Sequence, residues 1–360
     1  MNSVNFLNNL ALSKATFNFG AGVPPLDAYA PFDEIECLQQ FKKEYPNAPL
    51  NHYHQTQGFI NELSCEYFKT DGFTQSTAGQ IAITNGVQEA ITVTALLFKN
   101  KTFACIDPYY PGFFDVVKMI GNTPTLISSN EWLSELENLP KGSLFYLSAD
   151  FSNPTGKRLT QEERKRLIEI ARARDLYLFD DATYRPFYLD ESFVPLVEMA
   201  PERVFFASSF SKFLAPGVRI AMIHVPQNYY QLFLNIKANV SLNCSGYTQA
   251  IVGGWLIKKK FDVRSHLSTF IAQLRLKQQM LHRHSISYDG GFFVRIQLED
   301  QQTDMNWCTA LLAKEDVAVC PMELFSLQQA SKNQLRISIA KISPENLEIG
   351  IMKILNFEVQ

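Results

Sequence analysis

The chain is sparing in charge and shows no concentration of one sign. Its 360 residues include 33 Lys and Arg against 36 Asp and Glu, a formal net charge of −3. No long basic run is present, which argues against a nucleic-acid platform. No apolar stretch approaches the roughly 18 residues of a membrane span. Met1 to Ala15 lacks the cationic start and apolar core of a signal peptide. The cytoplasm is therefore the expected location. The cysteines Cys37, Cys65, Cys105, Cys244, Cys308 and Cys320 never form a Cys-x-x-Cys pair, which argues against zinc or a redox motif. In a reducing compartment they are expected to be packing residues. His282 and His284 are close together but have no acid or cysteine cluster beside them, so no metal site is expected. His52 and His54 flank Tyr53, on a solvated loop or near a neighbouring subunit. No repeat or low-complexity tract is visible. Aromatic residues, by contrast, are plentiful. The 28 Phe and 14 Tyr suit a large buried core or a broad subunit interface.

The most informative segment runs from Ser208 to Arg219: Ser-Ser-Phe-Ser-Lys-Phe-Leu-Ala-Pro-Gly-Val-Arg. A strand-like stretch, Val204 to Ala207, leads into serine hydroxyls and the amine of Lys212. Hydroxyls with the guanidinium of Arg219 suit a phosphate. A desolvated lysine loses its proton and becomes a Schiff-base nucleophile, which suits an aldehyde. An aldehyde bearing a phosphate is pyridoxal 5′-phosphate. The competing reading is a solvated lysine on a loop.

Four further segments bear on that choice. Leu176 to Phe179 is apolar and ends in Asp180-Asp181, as a buried parallel strand does where it opens on a crevice. Asp181 could pair with a protonated pyridine nitrogen and Tyr184 could donate to a ring oxygen, or Asp181 could cap a helix. Asn153-Pro154-Thr155-Gly156 forms a turn, followed by a helix whose Thr160 and Glu163 fit a capping box. Ile81 to Thr84 alternates as a strand, meets Gly86 and continues as a helix from Val87 and Gln88. Free N–H groups there would hold a phosphate, or the segment is an ordinary strand-to-helix turn. Asp107 to Gly112 exposes Tyr109 and Tyr110, either of which could stack on a planar ring or join the core. Finally, Arg336 lies inside an alternating strand, where a guanidinium is costly unless paired. Its partner is a bound carboxylate or one of the chain's own acids.

Taken in order, these motifs resemble the class I/II aminotransferases, fold-type-I enzymes that use pyridoxal 5′-phosphate. Ser209-x-Ser211-Lys212 with Pro216-Gly217-x-Arg219 resembles the lysine signature. Asn153 to Gly156, Asp181-x-x-Tyr184, Thr84-x-Gly86-x-Gln88 and Pro108-x-Tyr110 match further family elements. Tyr53 to Gly58 is similar to the Tyr-x-x-x-x-Gly element, whose tyrosine reaches the neighbouring subunit's phosphate. Gly22-x-Pro24 resembles the substrate-side turn, and Arg336 falls at the carboxylate clamp. The wording around Lys212 is nearest the aminoadipate/kynurenine branch, which also supplies the effector half of MocR-type regulators. Ala221, Met322 and Leu63-Ser64 depart from the family pattern, which leaves the shape of the substrate pocket open.

The resemblance implies an α/β fold: a large domain with a mainly parallel, seven-stranded-type sheet flanked by helices, and a smaller α+β domain. The expected spans are 1–45 packing with the small domain, 46–260 binding the cofactor, and 261–360 forming the small domain. Alternation of strands and helices from about Ile81 to Val225 agrees with that order. It also implies a cytoplasmic homodimer with shared active sites, bound to neither nucleic acid nor membrane. The activity would be ping-pong transfer from an α-amino acid to a 2-oxo acid through a Lys212 aldimine. Gly86, Val87, Gln88, Ser209, Ser211, Arg219 and Tyr53 would hold the phosphate. Tyr110 would stack on the ring, and Asn153, Asp181 and Tyr184 would hold its polar atoms. Arg336, Gly22 and Asn153 would face the substrate. A lyase, a decarboxylase, an amino-acid oxidase or a non-catalytic pyridoxal 5′-phosphate sensor would share this machinery. The sensor is expected to be the weaker reading, because no DNA-binding segment precedes Gly22.

Overall fold

A computed structural model describes residues 10, 13–20, 22–298, 301–327 and 331–358. Most of Met1 to Ala15, read above for a leader, lies outside the described residues.

Seven strands form one sheet, in the spatial order Ile81–Thr84, Ala221–His224, Val204–Ser209, Tyr177–Asp181, Leu144–Leu147, Phe103–Asp107, Thr125–Ser128. The inner strands are near-continuous apolar runs because helices cover both faces. Only Ala221–His224 runs against its two neighbours. The reason is the link that precedes it. Residues 210–220 are too few for a crossover helix, so the chain turns back antiparallel to Val204–Ser209. That link carries Lys212 and Arg219. The parallel strands bring Asp107, Asp181 and Ser209 to the same edge of the sheet, where ligands of such folds bind.

A second sheet is antiparallel, in the order Cys320–Pro321, Gln334–Ser338, Phe293–Gln297. Phe17–Asn18 pairs in parallel with Val317–Ala318, so this part of the N-terminal segment joins the C-terminal unit. Glu34–Glu44 instead packs on Gly246–Lys258. A Cβ on Gly254 would lie 1.8 Å from the Cys37 carbonyl oxygen, so glycine permits that close approach. Further helices run over Gln227–Val240, Gly246–Lys258, Ser268–Arg283 and Met305–Glu315. Gln161–Ala173 begins with the expected capping box, Thr160 to Glu163. All six cysteines are free and buried.

Asp150 is buried and accepts from three arginines: Arg158 at 3.0 Å, Arg164 at 2.7 Å and Arg185 at 2.9 Å. Arg185 also reaches Asp71 at 2.9 Å, which ties the segment after Asp181 to the helix Asn61–Thr70. Burial alone would raise the Asp150 pKa, but the three guanidiniums outweigh it and hold the carboxyl at about 2. Its folded value lies below its ordinary 3.8, so its contribution is complete above about pH 4 and fades as pH falls through about 2. Asp150→Ala leaves Arg158 and Arg164 without a carboxylate, while Arg185 keeps Asp71, and is expected to cost about 3–5 kcal/mol in urea unfolding at pH 7. The gap from the parent protein should narrow as unfolding is measured from pH 5 towards pH 2. A gap below about 1 kcal/mol at pH 7 would contradict this role.

Candidate active site

Lys212 lies in the return link, and its Nζ donates to the Gly22 carbonyl at 2.6 Å. Burial, aided by Arg336 and Arg219, lowers its pKa to about 8, while Asp181 acts the other way. A larger share of neutral amine is therefore available than on a surface lysine. Its backbone is held as well: the Tyr29 hydroxyl donates to the Lys212 carbonyl at 2.6 Å.

Asp181 is buried at the end of its strand. It caps no helix. Its Oδ1 accepts from the Thr183 backbone N–H at 3.1 Å and the Thr183 hydroxyl at 2.5 Å. Its Oδ2 accepts from the Tyr146 hydroxyl at 2.9 Å. Burial raises the Asp181 pKa, and these three donors oppose that rise. The Tyr146 ring is stacked 6.2 Å from that of Tyr110 and 4.5 Å from that of Phe113. Tyr110 is half-buried and opens the helix Pro111–Met119. Tyr184 is buried among Phe292 and Phe293, and burial pushes its phenol well up.

The phosphate-type donors also converge. Gly86 has φ +81°, which favours glycine, and it starts the helix Val87–Leu97. A Cβ there would lie 2.4 Å from Arg219 Nη2, so a side chain would displace that cation. Arg219 itself is left-handed, at φ 49°, a strained setting for a non-glycine residue that recurs at functional sites. It donates to Ser211 Oγ at 3.4 Å and to the Asn85 carbonyl at 3.2 Å. Ser209 Oγ accepts from the Ser211 N–H at 3.1 Å. Gln88 donates to the Gly112 carbonyl at 2.8 Å and thereby steadies the Tyr110 turn. Tyr53 stands apart from all of these, 87 % exposed.

Arg336 is buried, and no carboxylate lies within ion-pair reach among the described residues. Its Nη1 donates to Asn153 Oδ1 at 3.2 Å and its Nη2 to the Gly20 carbonyl at 2.7 Å. Nη2 is also 3.2 Å from Cys320 Sγ, and Nε has no hydrogen-bond partner among the described residues. Phe293 and Phe325 sandwich the guanidinium, each ring centre 4.7 Å away. Gly22 permits the approach of Phe293, whose ring would lie 2.8 Å from a Cβ at that position. Gly156, at φ +71°, does the same for the strand backbone, since its Cβ would fall 2.2 Å from the Phe293 carbonyl oxygen.

Sequence reading did not single out Tyr146, Thr183, Tyr29 or Phe325. Tyr146 shares its strand face with Leu144, but only the register, Tyr146 opposite Phe179, brings it to Asp181.

The profile of the family "Aminotransferase class I and II" matches residues 14–354. The 2-aminoadipate transaminase of Thermus thermophilus is 24% identical over 361 residues, covering 94% of this chain and 88% of that protein. The HTH-type transcriptional regulator YdeF of Bacillus subtilis is 27% identical over 312 residues, covering 81% of this chain and 65% of the regulator. The crystal structure of Thermus thermophilus LysN, an α-aminoadipate aminotransferase holding N-(5′-phosphopyridoxyl)-L-leucine, superposes with a TM-score of 0.81. It is 22% identical and covers 98% of this chain and 93% of that one. The chain belongs to the class I and II aminotransferases, and it is a pyridoxal 5′-phosphate-dependent enzyme of that kind.

The residues present fit that cofactor. A cation, two serine hydroxyls and a helix N-terminus meet at a bare glycine, as a phosphate requires. A buried, preorganised carboxylate stands ready for a ring nitrogen, and a buried amine of lowered pKa for an aldehyde.

Proposed function

We propose that the chain moves the amino group of an α-amino acid to a 2-oxo acid in two half-reactions, with Lys212 as the reacting amine and Arg336 as the α-carboxylate site. The observation that carries this reading is the buried Arg336 guanidinium, which has no acid of the chain to neutralise it among the described residues. A planar fork of donors is the natural complement of a carboxylate.

Pyridoxal 5′-phosphate, when bound, supplies an aldehyde for amine exchange and a ring that draws electrons from the substrate Cα. Arg219, Ser209, Ser211 and the Gly86-Val87-Gln88 turn would hold its phosphate. Tyr110 would cover one ring face. Asn153 and Tyr184 would hold the ring oxygen. Asp181, fixed by Tyr146 and Thr183, would keep a proton on the ring nitrogen. Arg336 orients the substrate by its α-carboxylate, with Asn153 bridging that site to the ring. Lys212 Nζ, once free, takes the proton from Cα. Its lowered pKa suits it to both accept and return a proton near neutral pH.

The active form is expected to be a homodimer in the cytoplasm. Tyr53, Tyr247 and Leu242 leave large side chains exposed, and the Tyr247 hydroxyl, at the start of the helix Gly246–Lys258, bonds Asn51. A second copy would cover them and receive Tyr53 at its phosphate site. The spans 1–45, 46–260 and 261–360 are proposed as the units that bring the two halves of the site together.

The test supplies ¹⁵N-labelled amino donors in turn, with 2-oxoglutarate or pyruvate as acceptor. The label should appear in the new amino acid, one for one with 2-oxo acid formed from the donor. Ammonia, carbon dioxide or peroxide release in place of transfer would instead identify a lyase, a decarboxylase or an oxidase.

A further inference from the structure

Glu89 stands in the first turn of the helix Val87–Leu97, whose start carries the turn assigned to the cofactor phosphate. Its side chain is nearly buried and reaches back past Gly86. Glu89 Oε2 accepts from the Asn85 side-chain amide at 2.8 Å and from the Asn85 backbone N–H. The carbonyl of Asn85 in turn accepts from Arg219 Nη2 at 3.2 Å. Glu89 therefore anchors the residue on which the Arg219 guanidinium rests. Its other oxygen, Oε1, accepts from the Ser241 hydroxyl and lies 3.5 Å from Lys237 Nζ. Lys237 is wholly buried, lies in the helix Gln227–Val240, and also donates to the Ser241 hydroxyl at 3.3 Å.

A carboxylate is an awkward neighbour for a phosphate. The helix N-terminus favours its charge, but it favours a phosphate for the same reason, and two anions there repel. A buried lysine is equally costly unless it is paired. Each of the two offsets the other. The pair is neutral, and Arg219 keeps its charge for a ligand. No other cation of the described residues lies within ion-pair reach of Glu89. One run of polar contacts thus leads from the buried Lys237 through Ser241, Glu89 and Asn85 to Arg219, which is exposed.

We infer that Glu89 and Lys237 are positioning residues for the cofactor phosphate. Glu89 fixes the turn and the seat of Arg219 through Asn85. Lys237 cancels the repulsion that an acid so placed would exert on the phosphate. Both act through other residues. The inference rests on the assignment of the phosphate to Arg219 and the Gly86 turn.

The test measures binding to the full chain, freed of cofactor, by calorimetry. The ligands are pyridoxal 5′-phosphate and pyridoxal, which has the same ring and aldehyde without the phosphate. The readout is the ratio of their dissociation constants, because a merely structural role would weaken both alike. Lys237→Met leaves the Glu89 charge unopposed. It should weaken pyridoxal 5′-phosphate about 10- to 100-fold and leave pyridoxal within about 3-fold of the parent. Adding Glu89→Gln removes the stray charge and keeps an acceptor for Asn85, so most of the lost preference should return. Should Lys237→Met not fold, Ser241→Ala keeps both charges, frees Glu89 Oε1 and should lower the preference about 3- to 5-fold; an unchanged ratio in that variant would overturn the proposal. Arg219→Gln should lose most of the preference. If it does, a Lys237→Met protein that weakens both ligands equally, or neither, would overturn the proposal alone. An unchanged ratio in Arg219→Gln would refute the phosphate site itself, and the proposal with it.

Discussion

Lys212→Ala should lower amino transfer by at least about 10⁴-fold with every donor. Two losses combine. The amine that exchanges with the substrate is gone, and so is the base that reaches Cα. No other described lysine or histidine occupies that place: Lys277, the other buried lysine with a pKa lowered to about 8, donates to the Ile339 and Ala340 carbonyls instead. Arg219, Ser209 and Ser211 remain, so the variant should still bind pyridoxal 5′-phosphate, more weakly. Lys212→Arg retains positive charge without a nucleophilic amine and should be as inactive as the alanine variant. Single-turnover ¹⁵N transfer measures the effect. Activity within about 10-fold of the parent would refute the assigned role.

Arg336→Met should lower kcat/KM for α-amino acids and 2-oxo acids by about 10²- to 10³-fold, because a buried, hydrogen-bonded charge pair is worth about 3–4 kcal/mol when one partner is removed. The loss should fall on KM, since the fork holds the carboxylate before and during proton transfer. A primary amine without a carboxylate should be affected far less. Stability should move differently. Arg336 is a buried cation between two phenylalanines, without an acid of the chain beside it among the described residues, which is costly to folding. Methionine fills similar space without that cost, so the variant should melt no lower than the parent. A large fall in melting temperature with unchanged KM would show that Arg336 serves the fold rather than the substrate.

Much of this site was legible because its parts are local. The hydroxyls, amine and guanidinium between Ser208 and Arg219 lie within one return link, so their chemistry could be read before their geometry. Asp181 was legible from an apolar run ending in acids. Arg336 was legible as a problem, a charge in an apolar strand, but that no acid of the chain answers it among the described residues needed the structure. Register was not legible. Nothing in Leu144–Leu147 announces that the Tyr146 hydroxyl meets Asp181, because that depends on how two strands slide past each other. The mainly parallel sheet agreed with the pattern of alternating elements. Its one reversed strand followed from the length of the link before it. Gln88 kept its expected place at the helix start, while its side chain turned to the Gly112 carbonyl.

The most direct measurement is chemical. Purified protein with bound pyridoxal 5′-phosphate is reduced with borohydride, digested and mapped by mass spectrometry. A phosphopyridoxyl group on the peptide containing Lys212, and on that lysine alone, is the predicted result. A label on another lysine, or a Lys212 peptide left unmodified in a protein that retains its cofactor, would contradict the assignment.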